Sequence, residues 1–147
     1  MSTKTSTKPA RNTKSKSVMP VRRDAQFELP ADRAHDWVGD GGVQFTQLMN
    51  TMSLVIPVGE RFFIDAVRHY RDQITDPDLK KAATAFIGQE AMHGREHDEY
   101  NARLIARLPS AAVFEKRVKA LLDWFASSTP PSMRLSTTIA LEHLTAI

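Results

Sequence analysis

The feature that most constrains the fold is a line of positions between residues 76 and 108, spaced at alternating steps of three and four. Residues at these steps lie on one side of an α-helix, because the helix repeats about every 3.6 residues. Asp76 is a good N-cap, and Pro77 suits the first helical position. We therefore expect one long helix ending near Leu108. Its inward positions are Leu79, Ala83, Phe86, Glu90, His93, His97, Tyr100 or Asn101, and Leu104.

Three ionisable residues, Glu90, His93 and His97, occupy the middle of this mostly apolar line. Neighbours three or four apart on a helix can direct a carboxylate oxygen and an imidazole nitrogen toward one ion. Burying such groups without partners costs roughly 2 to 7 kcal/mol each. A bound cation would offset that cost. The alternative is a Glu/His pair that only forms a hydrogen bond.

Three further helices are predicted, so the fold class is an all-α helical bundle. The first runs from about Val43 to Gln73, with a kink or restart at Pro57 and Gly59 just before Glu60. The third spans about 111 to 127 and the fourth starts near Ser132. Glu142 and Ala146 are predicted to lie on the same face of the fourth helix as Leu135 and Ile139. The predicted packing residues are Trp37, Val113, Val118, Leu121, Leu122, Trp124, Phe125, Leu135 and Ile139.

Charge is divided unevenly along the 147 residues. Residues 1–23 carry seven Lys or Arg and no acid, whereas the rest has thirteen basic and seventeen acidic residues. We expect a disordered basic tail at 1–23, an irregular entry segment at 24–42, and a helical metal-binding domain at 43–147. The tail has no aromatic residue to stack on bases, so no specific nucleic acid partner is expected.

The absence of cysteine excludes disulfides and thiolate metal sites, so any metal must be held by His, Asp or Glu. There is no apolar run of about eighteen residues and no apolar core of a secretory signal, which predicts a cytoplasmic protein without stable membrane insertion. Helix-bundle dimetal proteins supply one Glu from each of two helices and Glu-x-x-His from each of the others. Glu60, Glu90 with His93, and Glu142 match three of these four contributions.

Two segments resemble the bacterial family called predicted metal-dependent hydrolases. They are Pro57-Val58-Gly59-Glu60-Arg61-Phe62-Phe63 and Gln89-Glu90-Ala91-Met92-His93-Gly94-Arg95-Glu96-His97. The resemblance covers about residues 40 to 147 and implies a ferritin-like helical protein with Glu60, Glu90, His93 and Glu142 as metal ligands. Family members continue past Ile147, where a second Glu-x-x-His element is expected. We therefore expect a fragment with an incomplete bundle, in which His97 or a second copy in a homodimer completes the site.

Three functions fit these residues. A hydrolase would act on a small-molecule substrate with His97 or a free carboxylate as general base. A di-iron or di-manganese oxidase or oxygenase would use a carboxylate-rich site to activate dioxygen. A non-catalytic metal-binding module would need no substrate pocket. The expected cofactor is a divalent ion, iron, manganese or zinc, and His97 is either a ligand or a catalytic residue.

Overall fold

A computed structural model describes residues 19–21, 23–26, 37 and 41–145. These residues form four α-helices and no strand: α1 Gly42–Arg71, α2 Pro77–Arg107, α3 Ser110–Ser128 and α4 Pro131–Thr145. The predicted all-α bundle is therefore confirmed. Most of the predicted tail and entry segment lies outside the described residues, and the domain boundaries stay predictions.

None of the four described helices combines the length and the hydropathy needed to cross a bilayer. The cytoplasmic location and the homodimer stay predictions.

Helix α2 begins and ends where the sequence predicts. The Asp76 carboxylate accepts hydrogen bonds from the backbone N–H groups of Asp78, at 2.8 Å, and Leu79, at 3.1 Å. These bonds satisfy two of the amide donors that a helix leaves without partners in its first turn. At the other end, the Leu108 N–H donates to the Leu104 carbonyl at 2.9 Å before Pro109. Local capping chemistry thus sets both ends of α2.

Helix α1 runs through Pro57 without a restart, so that half of the prediction was wrong, whereas the alternative, a kink, stays a prediction. Pro57 is almost fully buried, on the side of α1 that faces Gly94 of α2. Most helix stability in a folded protein comes from packing rather than from local propensity. Packing against α2 on both sides of Pro57 therefore keeps α1 continuous despite one missing backbone donor.

The antiparallel pair of α1 and α2 forms the centre of the bundle, and a short turn at residues 72–76 joins them. A cluster of the apolar core lies at this pair and includes one residue of α3. It consists of Leu54, Tyr100, Leu104 and, from α3, Ala111. Helix α3 packs on α1 through the rings of Phe62 and Phe125, whose centroids lie 5.9 Å apart. Helix α4 also contacts α1, so α1 touches each of the other three helices.

Several predicted packing residues are exposed in the described part of the chain. Val118, Leu122, Phe125 and Leu135 are half-buried, but Leu79, Val113, Leu121, Trp124 and Ile139 are exposed, between 51% and 63%. The prediction was wrong for these five. An amphipathic pattern shows which side of a helix is apolar, whereas the neighbouring helices decide how much of that side is covered.

Candidate metal centre

Glu60 of α1 meets Glu90 and His93 of α2 inside the central helix pair. Each offers one ligand atom, and these atoms lie within 4.8 Å of one another. The two carboxylates are 4% and 6% exposed, whereas the His93 side chain is 55% exposed. The cluster is therefore closed on the carboxylate side and open to solvent on the imidazole side.

The Glu60 carboxylate is the most constrained group of the cluster. Its Oε1 pairs with His93 Nδ1, while its Oε2 is buried without a hydrogen-bond partner. Gly94 leaves room for this oxygen, since a Cβ at that position would lie 2.5 Å from Glu60 Oε2. A buried carboxylate oxygen without a partner is costly unless a cation compensates it. The residues present thus fit a divalent metal ion.

The charges around the cluster favour a cation. Burial, together with the nearby negative charges of Glu142 and Glu60, raises the pKa of Glu90 to about 7. Burial also raises the pKa of Glu60, although its hydrogen bond with His93 opposes this change. Carboxylates that repel one another in a partly dry site attract positive charge. In the metal-free protein His93 is the nearest group that can carry a positive charge. Its hydrogen bond to Glu60 raises the pKa of His93.

A buried network of polar side chains holds His97, one turn along α2 from His93. The Ser53 hydroxyl lies 2.8 Å from His97 Nδ1 and donates to Asn101 Oδ1 at 2.8 Å. Asn101 Nδ2 in turn donates to the Ser53 carbonyl at 2.8 Å. Because a carbonyl only accepts, this last bond fixes the orientation of the Asn101 amide and makes its oxygen the acceptor for Ser53.

This network determines the tautomer of His97. Ser53 gives its one hydroxyl proton to Asn101, so its oxygen accepts the proton on His97 Nδ1. The lone pair of neutral His97 is therefore on Nε2, which lies 3.1 Å from His93 Nε2. Burial, together with the positive charge of His93, lowers the pKa of His97 to about 4. His97 thus presents an unprotonated nitrogen beside the cluster.

The structure brings together Glu60, Glu90 and His93 and places His97 beside them. Glu142 is close enough for its charge to raise the pKa of Glu60 and Glu90, but it lies outside the three-residue group. The roles of all five residues as metal ligands stay predictions. Of the other histidines, His69 and His143 are exposed and His35 lies outside the described residues.

Ser53 and Asn50 were not predicted as residues of the site. Both are buried on the side of α1 that faces α2, and Asn50 accepts a hydrogen bond from the Tyr100 hydroxyl. A signal was available, because polar residues and one proline recur at alternating steps of four and three toward Glu60. They are Thr46, Asn50, Ser53, Pro57 and Glu60. This spacing predicts one helix face, as the same spacing did for α2.

Comparison with known proteins agrees with this geometry. The sequence model of one family, described as predicted metal-dependent hydrolase, matches residues 21–147. No curated protein and no solved structure matches the chain. The matched range contains the whole cluster of two carboxylates and one imidazole, together with the helices that position it. The chain therefore belongs to the family of predicted metal-dependent hydrolases.

Proposed function

We propose that this protein is a hydrolase of small molecules that holds one divalent cation with Glu60, Glu90 and His93. The observation that carries the proposal is the buried Glu60 Oε2, which has no hydrogen-bond partner and belongs to a group of ligand atoms within 4.8 Å of one another. Two carboxylates and one imidazole suit zinc, manganese or ferrous iron. Three protein ligands also leave a coordination position for water, as catalytic sites do.

A cation bound there would lower the pKa of a water molecule and polarise a carbonyl or phosphoryl oxygen. For the proton acceptor we propose His97, whose neutral imidazole carries its lone pair on Nε2. In the metal-free protein this nitrogen accepts a hydrogen bond from His93 Nε2–H at 3.1 Å, so His97 must give up that bond to take a proton. Ser53 and Asn101 keep the imidazole oriented through its Nδ1–H. The exposed side of His93 is where a substrate reaches the site.

Metal analysis of ligand variants tests the proposal. Glu60→Gln, Glu90→Gln and His93→Gln should each lower the affinity for the metal by more than about tenfold, since each removes a donor. Glu99→Gln on α2 and His69→Gln on α1 are matched controls at exposed positions and should bind one equivalent, as the wild type does. Equal metal content in the Glu90→Gln variant and the wild type would overturn the proposed site.

The role of His97 is tested separately from metal binding. If His97 is the proton acceptor, His97→Gln should retain one equivalent of metal while kcat for an ester or phosphoester falls by about 10² or more. Loss of the metal from this variant would instead make His97 a ligand.

Glu142 supports a second candidate function, a dimetal oxidase or oxygenase. Its carboxylate adds a third negative charge near Glu60 and Glu90, which suits a second cation. This function predicts two ions per chain, loss of one in Glu142→Gln, and an absorption change that requires dioxygen. One ion per chain with hydrolytic turnover would favour the hydrolase, and one ion without turnover would favour a non-catalytic module.

A further inference from the structure

A cavity of about 240 Å³ lies between α1 and α2 directly beside the cluster. His93 and His97 form one end of it. The remaining wall is mostly the apolar surface of Trp37, Met49, Met52, Ile56 and Tyr100, and Ser53 and Glu96 also line it.

The polar atoms around this cavity already have partners. The Ser53 hydroxyl is bonded to His97 and Asn101, and the Trp37 Nε1–H donates to Asn50 Oδ1 at 2.9 Å. The Tyr100 hydroxyl donates to the same oxygen. The Trp37 and Tyr100 rings meet edge to face, with centroids 6.1 Å apart. The cavity therefore offers a guest aromatic and thioether surface, with the imidazoles at one end.

His93 and Glu96 also line a second, open groove. Its wall is mixed, because Arg23 and Gln89 supply polar groups whereas Met19, Val21 and Met92 supply apolar surface. His93 thus borders both a mostly apolar cavity and a groove of mixed polarity.

From this arrangement we infer that the site takes amphipathic substrates, whose apolar chain or ring lies in the cavity and whose polar, hydrolysable group lies at the cluster. The inference rests on the proposed function and names the substrate class of that same site. A cavity of about 150 Å³ holds a benzene ring. The larger cavity here suits a substituted ring or a medium-length alkyl chain.

The cavity can be tested in the metal-free 147-residue chain with straight-chain alcohols as probes. The chain has two tryptophans, and Trp124 is 63% exposed, so Trp124→Phe leaves Trp37 as the fluorescent reporter in the cavity wall. Butanol, hexanol and octanol should change the Trp37 emission saturably. The Kd should fall about two- to fourfold for each added methylene, as expected for burial of apolar surface.

A matched pair of α1 variants locates the binding. Met52→Lys places a charge on the cavity wall and should abolish the dependence on chain length. Leu48→Lys changes an exposed apolar residue of the same helix that lies outside the cavity. This variant should keep the dependence of the Kd on chain length. Equal behaviour of the two variants would overturn the inference.

The metal-loaded protein links the cavity to the cluster. Octanohydroxamate and acetohydroxamate carry the same metal-binding head, so octanohydroxamate should bind at least tenfold more tightly only if its chain enters the cavity. Metal binding without any preference for the longer chain would overturn the inference and leave the proposed function standing. Failure to bind metal with the alcohol series intact would overturn the proposed function and leave the cavity as an apolar binding site.

Discussion

At Gly94, one added side-chain carbon would collide with the Glu60 carboxylate of the cluster. A Cβ there would lie 2.5 Å from Glu60 Oε2, whereas a Cβ at Gly59 has no other atom within 4 Å. We expect Gly94→Ala to lower the free energy of unfolding by about 1 to 3 kcal/mol through overpacking and to weaken metal binding. Urea unfolding and a metal titration measure the two effects.

Gly59→Ala is the matched control, since the same substitution sits in α1 next to a ligand. It should be neutral or raise the free energy of unfolding by about 0.5 to 1 kcal/mol, because alanine is the better helix former. Similar losses in both variants would contradict the idea that the limited space beside Glu60 controls the effect.

Glu90 illustrates how a ligand group weakens the metal-free fold. Its folded pKa of about 7 lies above the ordinary value of 4.5, so the folded protein loses stability as the pH rises from about 4.5 to 7. We expect Glu90→Gln to raise the melting temperature of the chelator-treated protein by several degrees at pH 8, corresponding to about 1 to 3 kcal/mol. The gain should nearly vanish at pH 5, where the wild-type carboxyl is mostly protonated.

Differential scanning fluorimetry in the presence of chelator measures this difference. Glu99→Gln removes an exposed carboxylate from the same helix and should change the melting temperature little at either pH. A Glu90→Gln variant that melts below the wild type at pH 8 would contradict the proposed repulsion among the carboxylates.

Ser53 is a positioning residue that acts through His97. Ser53→Ala removes the acceptor of His97 Nδ1–H and the donor to Asn101, and leaving these buried groups unpaired should cost about 1 to 3 kcal/mol. The ¹⁵N spectrum of His97 should change from the Nδ1–H tautomer to a mixture. Ser53→Thr keeps the hydroxyl and should preserve the tautomer. Thr51→Ala, at an exposed site of the same helix, should leave it unchanged.

At the scale of the helices, the start of α2 depends on one side chain. Asp76→Ala removes the acceptor of two backbone N–H groups and should lower the free energy of unfolding by about 0.5 to 2 kcal/mol. Asp76→Asn keeps an acceptor oxygen and should recover most of this loss in urea unfolding. An equal loss in Thr75→Ala, which removes a neighbouring exposed side chain, would contradict the capping role.

Helices α1 and α2 also differ in how far local sequence predicts them. The N-cap, the proline at the first position and the closing Pro109 are all local signals, and α2 follows them. Pro57 is an equally local signal, but α1 continues through it because the residues on both sides pack against α2. Where local and long-range effects compete, packing decides the outcome.

At the scale of the whole molecule, a bound cation would join α1 to α2 through Glu60, Glu90 and His93. A ligand that binds only the folded state adds about 2.7 kcal/mol to the free energy of unfolding when its free concentration is about 100 times its Kd. Zinc, manganese or ferrous iron should therefore raise the melting temperature of the wild type, and a chelator should reverse the gain. The Glu90→Gln variant should show no such dependence. Unchanged melting of the wild type with all three metals would contradict the proposed centre.

Helices α3 and α4 show what amphipathic patterns leave undecided. Their apolar faces are wider than the surface that α1 and α2 offer them, so residues such as Leu121 and Ile139 remain exposed in the described part of the chain. The pattern predicted both helices correctly, because periodicity depends on neighbours three and four residues apart. It did not predict which positions would be covered.

By itself, the sequence determined the helical class, the ends of α2, the absence of thiolate ligands and the adjacency of Glu90 to His93 on one helix face. Each of these follows from residues close together in the chain or from composition. Only the tertiary structure decided that Glu60 Oε2 lies buried over Gly94, and that Ser53 and Asn101 set the tautomer of His97. The physical reason is that the register of one helix against another depends on packing over its whole length, and that register determines which side chains meet.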